Sequence, residues 1–194
     1  EAIGSKYGGF FAGNLADVGV LSFDHGKMIT TGEGGLVLSN KKYIGNYCKE
    51  YIDHGHENNA SYPRGRDTRS IYGFNYRMTE IQGSIGKVQL KKLNNMIRDN
   101  RKRYKALEYF LSHKFLLRKI PKKCSPSYDT LIIIEENKER KSQIIKVLND
   151  CNIGTKNLPD AMEWHCSYFW DHALQKKEIQ NSARTKKLLD KCVA

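Results

Sequence analysis

The sequence predicts an α/β protein, and three observations carry that prediction. Two short apolar runs, Val18 to Phe23 and Leu36 to Ser39, are aliphatic or β-branched and bounded by Gly and Asn, which reads as a pair of buried strands. A much longer stretch places Ile81, Ile85, Val88, Leu93, Met96, Ile97, Tyr104, Leu107 and Leu111 at a helical period, to about Ser112. Beyond it, Tyr128 to Ile134 reads as a strand, Glu136 to Cys151 as an amphipathic helix, and Ile153 to Lys156 as a further extended segment.

The whole chain is 194 residues, enough for one ordinary domain or slightly more. Its 39% hydrophobic content supports a packed core and argues against disorder. The formal net charge of +12 is compatible with a polyanionic partner such as nucleic acid. The basic residues are spread along amphipathic stretches, however, without an arginine-rich block or an interleaved aromatic platform. We read them as a solvated surface, partly facing an anionic ligand. Cys48, Cys124, Cys151, Cys166 and Cys192 are odd in number and form no C-x-x-C pair. Reduced thiols of a cytosolic protein are expected, not a disulfide framework or a zinc site. No apolar run approaches membrane-spanning length and no signal peptide is recognisable. A cytoplasmic protein without membrane or nucleic-acid partners follows as the expectation.

In order along the chain, Gly8 to Ala16 is a glycine-rich turn that delivers the backbone to the first strand. Between the two apolar runs lies Ser22-Phe23-Asp24-His25-Gly26-Lys27-Met28-Ile29-Thr30-Thr31-Gly32-Glu33-Gly34-Gly35. Glycine permits sharp turns and close approach, while free N–H and hydroxyl groups hold anions. Partial desolvation of a lysine in such a segment suits its amine to Schiff-base chemistry. From pattern alone the same stretch reads first as a hairpin-like connection with a solvated lysine. Asn40 is the expected cap of a helix running to about Ile52, with Tyr43, Tyr47 and Tyr51 along one side.

The polar loop from Asp53 to Tyr72 holds His54, His56 and Glu57, which lack the ligand count and helical spacing of a metal site. Arg64, Arg66 and Arg69 in the same loop can clamp a phosphate or carboxylate, or simply face solvent. Thr79 and Gln82 have capping-box spacing ahead of the long helix. Pro121 to Pro126 reads as a linker. Asn152 and Gly154 end the second helix, and a last helix is expected from Ile179 to Cys192.

Two motifs are long enough to carry a resemblance. Ser-Phe-x-x-x-Lys-x-Ile-Thr-Thr-Gly-Glu-Gly-Gly, at Ser22 to Gly35, and Gly-x-Asn-x-Arg-Met-x-Glu, at Gly73 to Glu80, are similar to segments of the DegT/StrS family of sugar aminotransferases. The resemblance implies a pyridoxal-phosphate transferase of fold type I. Residues 1–78 then end the cofactor-binding large domain, 79–112 form a linking helix, and 113–194 form most of a small α+β domain.

It also implies that Lys27 carries the cofactor as a Schiff base and that Ser22 contacts its phosphate. Asn75 reaches the phosphate bound in the partner subunit of a homodimer with shared sites. Glu1 falls where the family places a His or Gln against the pyridine ring, so it departs from the pattern. A lysine at position 27 argues against the sister dehydratases, which have histidine there. The chain opens in mid-motif without an initiator methionine, which leads us to expect a fragment that lacks part of the site. The resemblance implies an amino donor, glutamate or glutamine, and a keto-sugar acceptor. The Asp53 to Asn59 loop and Thr155 to Ala161 are most similar to a subgroup acting on 8-amino-8-deoxy octulosonate sugars of bacterial surface polysaccharide. Nucleotide-linked keto-sugars are the broader expectation, and a non-catalytic polyanion-binding protein is the alternative from a different class.

Overall fold

The computed structural model describes residues 2–155 and 158–194. Its elements, in chain order, are β1 (Lys6–Tyr7), β2 (Phe10–Phe11), β3 (Gly19–Ser22), β4 (Gly35–Leu38), α1 (Lys42–Tyr51), α2 (Glu80–Leu111), β5 (Leu116–Leu117), β6 (Cys124–Ser125), β7 (Ile133–Ile134), α3 (Lys138–Asp150), α4 (Met162–His165), α5 (Lys176–Asn181), α6 (Ala183–Leu189) and β8 (Cys192–Val193). The chain separates into two compact units, one running through Asn100 and including Ile120–Ser127, the other made of Arg101–Lys119 and Tyr128–Ala194.

In the first unit, β1 and β2 form a hairpin joined by Gly8 and Gly9 at φ 56° and 91°. Both central residues of a type I′ turn need positive φ, and glycine supplies it without strain. The expected linker at 121–126 contains a strand instead: β6 pairs antiparallel with β1, Lys6 opposite Ser125 and Tyr7 opposite Cys124. Prolines at either end limit it to two paired residues.

The two apolar runs pair as the antiparallel hairpin β3–β4, with Val20 opposite Val37 and Leu21 opposite Leu36. Their expected burial is not met: Val20, Leu36 and Val37 are all exposed, Val20 by 74%. A two-stranded sheet has two faces to cover, and among the described residues these side chains have no covering layer. Together with α1 and the start of α2, this hairpin borders an open apolar cavity of about 840 Å³ that reaches Ile44, Cys48, Met78 and Leu90. Helix α1 also departs from expectation at its start. Asn40 is not its cap; Ser39 Oγ accepts from Lys41 N at 3.1 Å and donates to Asp17 O at 2.8 Å, so the turn closes one residue earlier and Lys41 precedes the helix.

Helix α2 starts where the capping box predicted. Thr79 N donates to Gln82 Oε1 at 2.9 Å, and Gln82 N donates back to Thr79 Oγ1 at 3.3 Å. The apolar stripe of α2 is unevenly covered: Ile81, Ile85, Val88 and Leu107 are exposed, Leu93, Met96, Ile97 and Leu111 are half-buried, and Tyr104 is buried.

In the second unit, β5, β7 and β8 form a sheet in the order β5-β7-β8, with both pairings antiparallel. The strand expected over Tyr128–Ile134 narrows to β7, because Tyr128 sits at φ 59° and turns the chain before it. Helix α3 begins at Lys138, two residues later than expected. Asn137 caps it by accepting from Arg140 N at 2.9 Å. At its far end Asn152, at φ 56°, stops the helix as anticipated, and Ile153 N returns to Leu148 O at 2.8 Å. The single helix expected from Ile179 to Cys192 is instead α5, α6 and β8. Ser182 turns its hydroxyl back to Ile179 O at 2.6 Å and breaks the helix there, while Cys192 and Val193 are drawn into the sheet beside β7. Leu158, Met162, Tyr168 and Cys192 form the core of this unit, with Ile132, Ile134, Ile179 and Leu189 packed around them.

Candidate active site

The Ser22 to Gly35 segment is a closed loop hung from the β3–β4 hairpin and stitched across its neck. Phe23 N donates to Gly34 O at 2.8 Å, and Thr31 N donates to Phe23 O at 2.9 Å. Thr30 Oγ1 donates to the same carbonyl at 3.2 Å and accepts from Gly32 N at 2.9 Å, while Thr31 Oγ1 donates to Glu33 O at 2.6 Å. Phe23, Ile29 and Thr31 are buried, Ile29 completely. The apolar residues of the motif thus anchor the loop and its polar residues tie it shut. Helix α2 receives it: Gln82 Nε2 donates to Glu33 O at 2.9 Å, and Asn100 Nδ2 lies 3.5 Å from Met28 Sδ.

This framework holds Lys27 with its side chain 20% exposed, one turn after Asp24. Lys27 N donates to Asp24 O at 3.0 Å, and its Nζ lies 3.9 Å from Asp24 Oδ2. Asp24 Oδ1 accepts from Gly26 N at 2.7 Å and lies 3.0 Å from His25 Nδ1. Ser22 is exposed at the end of β3, its Oγ 3.4 Å from Asp24 N. The loop therefore brings a half-buried primary amine and a serine hydroxyl to one end of the hairpin.

A second cluster forms around Asp53, which follows α1. The backbone from Tyr51 to His54 pairs with Phe74 to Tyr76: Phe74 N donates to Tyr51 O at 2.8 Å, His54 N to Phe74 O at 3.0 Å, and Tyr76 N to Ile52 O at 3.0 Å. Asp53 and Asn75 face each other across this pairing. The contact is possible because Gly55 and Gly73 abut. A Cβ on Gly73 would lie against Gly55 N and Tyr51 O, and Gly55 itself sits at φ 80°.

The Asp53 carboxylate is buried and accepts from Arg64 Nη2 at 2.7 and 3.0 Å and also from Arg77 Nη1. Burial pushes its pKa up, but the Arg77 hydrogen bond and the charges of Arg64 and Arg77 more than offset it, leaving the carboxyl below its ordinary range. Nearby, Asp67 accepts from the N–H groups of Asn58, Asn59 and Thr68 at 2.7, 3.0 and 2.9 Å. There too burial raises the pKa and those three bonds, with the His56 charge, bring it below the usual value.

All but one of the residues expected at a site have a place in the structure. Lys27 and Ser22 share the lysine loop, and Asn75 is exposed on the strand-like segment beside Asp53. Glu1 lies outside the described residues. Of the three arginines, Arg64 is committed to Asp53, and Arg69 Nη2 lies 3.3 Å from His56 Nε2. Arg66 is exposed at the tip of the loop. His56 faces Asp67 at 3.5 Å, and Glu57 accepts from Thr68 Oγ1 at 2.6 Å, so these two residues of metal-ligand character are engaged within the loop. Sequence reasoning did not single out Asp53, Asp67 or the structural use of Arg77. Partners 11 and 24 residues apart in a loop follow no periodicity that could have announced them.

Comparison with known proteins decides the family. The DegT/DnrJ/EryC1/StrS aminotransferase family matches residues 1–193. The chain belongs to this family. The family is one of pyridoxal-phosphate-dependent enzymes. Among its relatives is GDP-perosamine synthase of Escherichia coli O157:H7, 30% identical over 156 residues, covering 80% of this chain and 42% of that protein. Another is UDP-4-amino-4,6-dideoxy-N-acetyl-beta-L-altrosamine transaminase of Campylobacter jejuni, 32% identical over 161 residues with 80% and 42% covered. The chain thus spans about two-fifths of the length of these curated relatives. The fold agrees: the sugar aminotransferase CalS13 of Micromonospora echinospora superposes with a TM-score of 0.75 at 18% identity, over 98% of this chain and 50% of that one. Among the described residues, no helix is long and apolar enough to cross a membrane.

Proposed function

We propose that the protein is a pyridoxal-phosphate-dependent sugar aminotransferase serving surface-polysaccharide synthesis, and that this chain supplies its reactive lysine. The observation that carries the reading is the lysine loop, in which buried Phe23, Ile29 and Thr31 fix the backbone on either side of Lys27 while its side chain keeps 20% of its surface exposed. The donor set suits the cofactor: a half-buried primary amine for its aldehyde, with the Ser22 hydroxyl and the Asn75 amide for its phosphate. When bound, the cofactor supplies an aldehyde that exchanges amines and a ring that withdraws electrons from the donor carbon.

Lys27 does the rest as a proton carrier. Its Nζ would hold the cofactor through the aldehyde carbon, be freed when the amino donor takes that place, and then carry a proton from the donor carbon to the aldehyde carbon as general base and acid. When the keto-sugar is aminated it would carry a proton the other way, from the aldehyde carbon to the sugar carbon. Asp24 Oδ2 lies 3.9 Å from Nζ on the same loop. Asn75 acts across a homodimer, on the phosphate held by the partner. Arg64, Arg66 and Arg69 line the loop assigned to the anionic part of the sugar. With Arg64 and Arg69 engaged within the loop, exposed Arg66 is the one of the three assigned to the anion. A nucleotide diphosphate or an octulosonate carboxylate both fit a guanidinium fork. Glutamate or glutamine is the amino donor.

Borohydride reduction of the cofactor-loaded full-length protein, followed by peptide mapping, tests the assignment. A pyridoxyl adduct on Lys27 is expected, and Lys27→Ala is expected to lose both the visible absorbance and turnover. An adduct on another lysine overturns the reading.

A further inference from the structure

The geometry points to Asp53 as the positioning residue of Asn75, through a two-arginine clamp that holds the Asn75 backbone against the end of α1. The inference rests on the assignment of Asn75 to the cofactor phosphate, and goes beyond it by naming what holds that amide in place.

Asn75 is exposed and stands on a segment that is neither helix nor extended sheet. Its position is set by a short backbone pairing, Phe74 N to Tyr51 O, His54 N to Phe74 O and Tyr76 N to Ile52 O, with Asp53 facing Asn75 at the centre. Three hydrogen bonds near the surface do not by themselves fix a loop, since each is open to competition from water. The Asp53 side chain adds what the backbone lacks. Its buried carboxylate receives Arg77, two residues beyond Asn75, and Arg64, which leads the intervening loop back. Charge-assisted bonds of this type are the stronger class, and a carboxylate shared by two guanidiniums is satisfied on both oxygens. Arg77 thereby pins the chain just after Asn75, and the Gly55–Gly73 contact pins it just before. The Asn75 backbone, from which the amide projects, is thus held from both sides. A contact to phosphate of that kind depends on placement to within about half an ångström.

Removing the charge while keeping the shape tests this. In the full-length protein, Asp53→Asn is expected to weaken pyridoxal-phosphate affinity about tenfold in an absorbance titration, the effect of losing roughly one good hydrogen bond. Hydrogen exchange is the second readout. The amides of His54, Phe74 and Tyr76 should exchange faster in Asp53→Asn, while those in the middle of α2 keep the wild-type rate. Asn75→Ala should weaken the cofactor comparably and leave the exchange of those amides unchanged. If Asp53→Asn does not fold, Arg64→Ala, which removes one exposed arm of the clamp, is expected to show the same two changes at smaller size. Unaltered exchange at the three amides in the folded variant overturns the positioning role, even where cofactor affinity falls. Faster exchange with unaltered cofactor affinity overturns it as well, provided that Asn75→Ala weakens binding. If Asn75→Ala leaves binding unchanged, it is the phosphate assignment that fails, and with it the role proposed for Asp53.

Discussion

Gln82 donates its side-chain amide to the carbonyl of Glu33, 2.9 Å away, while its oxygen accepts from Thr79 N. One side chain therefore caps α2 and fastens the lysine loop to it. A Gln82→Ala substitution loses both functions and is expected to cost about 1–2 kcal/mol, near the upper range for a single cap. Gln82→Glu keeps the acceptor for Thr79 but cannot donate to Glu33. It should retain most of the stability yet lower cofactor occupancy. Urea unfolding and cofactor titration of the two variants separate the effects.

Ile29 is fully buried two residues beyond Lys27, so its packing and the lysine's placement are linked. Ile29→Val should cost about 0.5–1.5 kcal/mol and Ile29→Ala about 2–4 kcal/mol. If the loop is as tightly anchored as its hydrogen bonds indicate, the alanine variant should also lose kcat beyond its loss of stability. A kcat equal to wild type in the folded fraction would show that Lys27 does not depend on this anchor.

Gly73 meets Gly55 and Tyr51 through backbone atoms, which cannot swing aside as a side chain can. Gly73→Ala is therefore expected to destabilise by more than about 2 kcal/mol. The substitution should also speed proteolysis of the 53–77 loop. A thermal midpoint unchanged from wild type would contradict the close approach.

The two carboxylates of that loop make stability depend on pH. Burial raises the Asp53 pKa, and Arg77 and Arg64 lower it further than burial raises it; Asp67 is held low by three N–H donors and His56 against the same opposing effect of burial. Folded values below the unfolded ones mean that the native state binds fewer protons in acid. This contribution is complete above the ordinary carboxylate pKa of about 4 and disappears as pH falls through the lower folded values. Denaturation midpoints should be flat from about pH 7 to pH 5 and fall below about pH 4, with a shallower fall in Asp53→Asn. The same slope in both proteins would remove Asp53 from the account.

Sharing of sites between subunits predicts complementation. Mixing a Lys27→Ala protein with an Asn75→Ala protein should restore activity in the heterodimer, where one of the two sites carries neither lesion. Subunit exchange confirmed by mass, with no activity regained, would place Asn75 in its own subunit's site.

The parts of this molecule that were legible in the sequence are those governed by local chemistry. Thr79 and Gln82 announced the start of α2 because a capping box is written within four residues. Asn152 announced the end of α3 through its tolerance of positive φ. The lysine segment stood out through its resemblance to a family motif, since its glycines, hydroxyls and single amine by themselves also read as a plain hairpin connection. Asn40 misled because Ser39, one residue earlier, competes for the same turn by way of the distant Asp17 carbonyl. β6 and β8 were missed because a two-residue strand exists only through its partner, which lies more than a hundred residues away for β6. Asp53 was illegible for the same reason, since its environment comes from Arg64 and Arg77 and not from its neighbours. Even correctly recognised strands gave a wrong burial for Val20, because burial depends on the layer that faces a strand and not on the strand itself.

The loop that departs at His56 returns at Arg69. Its two limbs are joined by Glu57 N to Thr68 O and by the Asp67 carboxylate holding Asn58 and Asn59. Only the tip, with Arg64 and Arg66, lies beyond these ties. A trypsin cut after Arg66 therefore opens the chain without releasing either limb, and Arg77 stays on Asp53 across the break. The nicked protein should run as two pieces in denaturing gels yet migrate intact under native conditions, with its cofactor chemistry preserved. Such a tip is a place where nature or an engineer can insert sequence, because the covalent continuity of the loop is not what holds its two ends together.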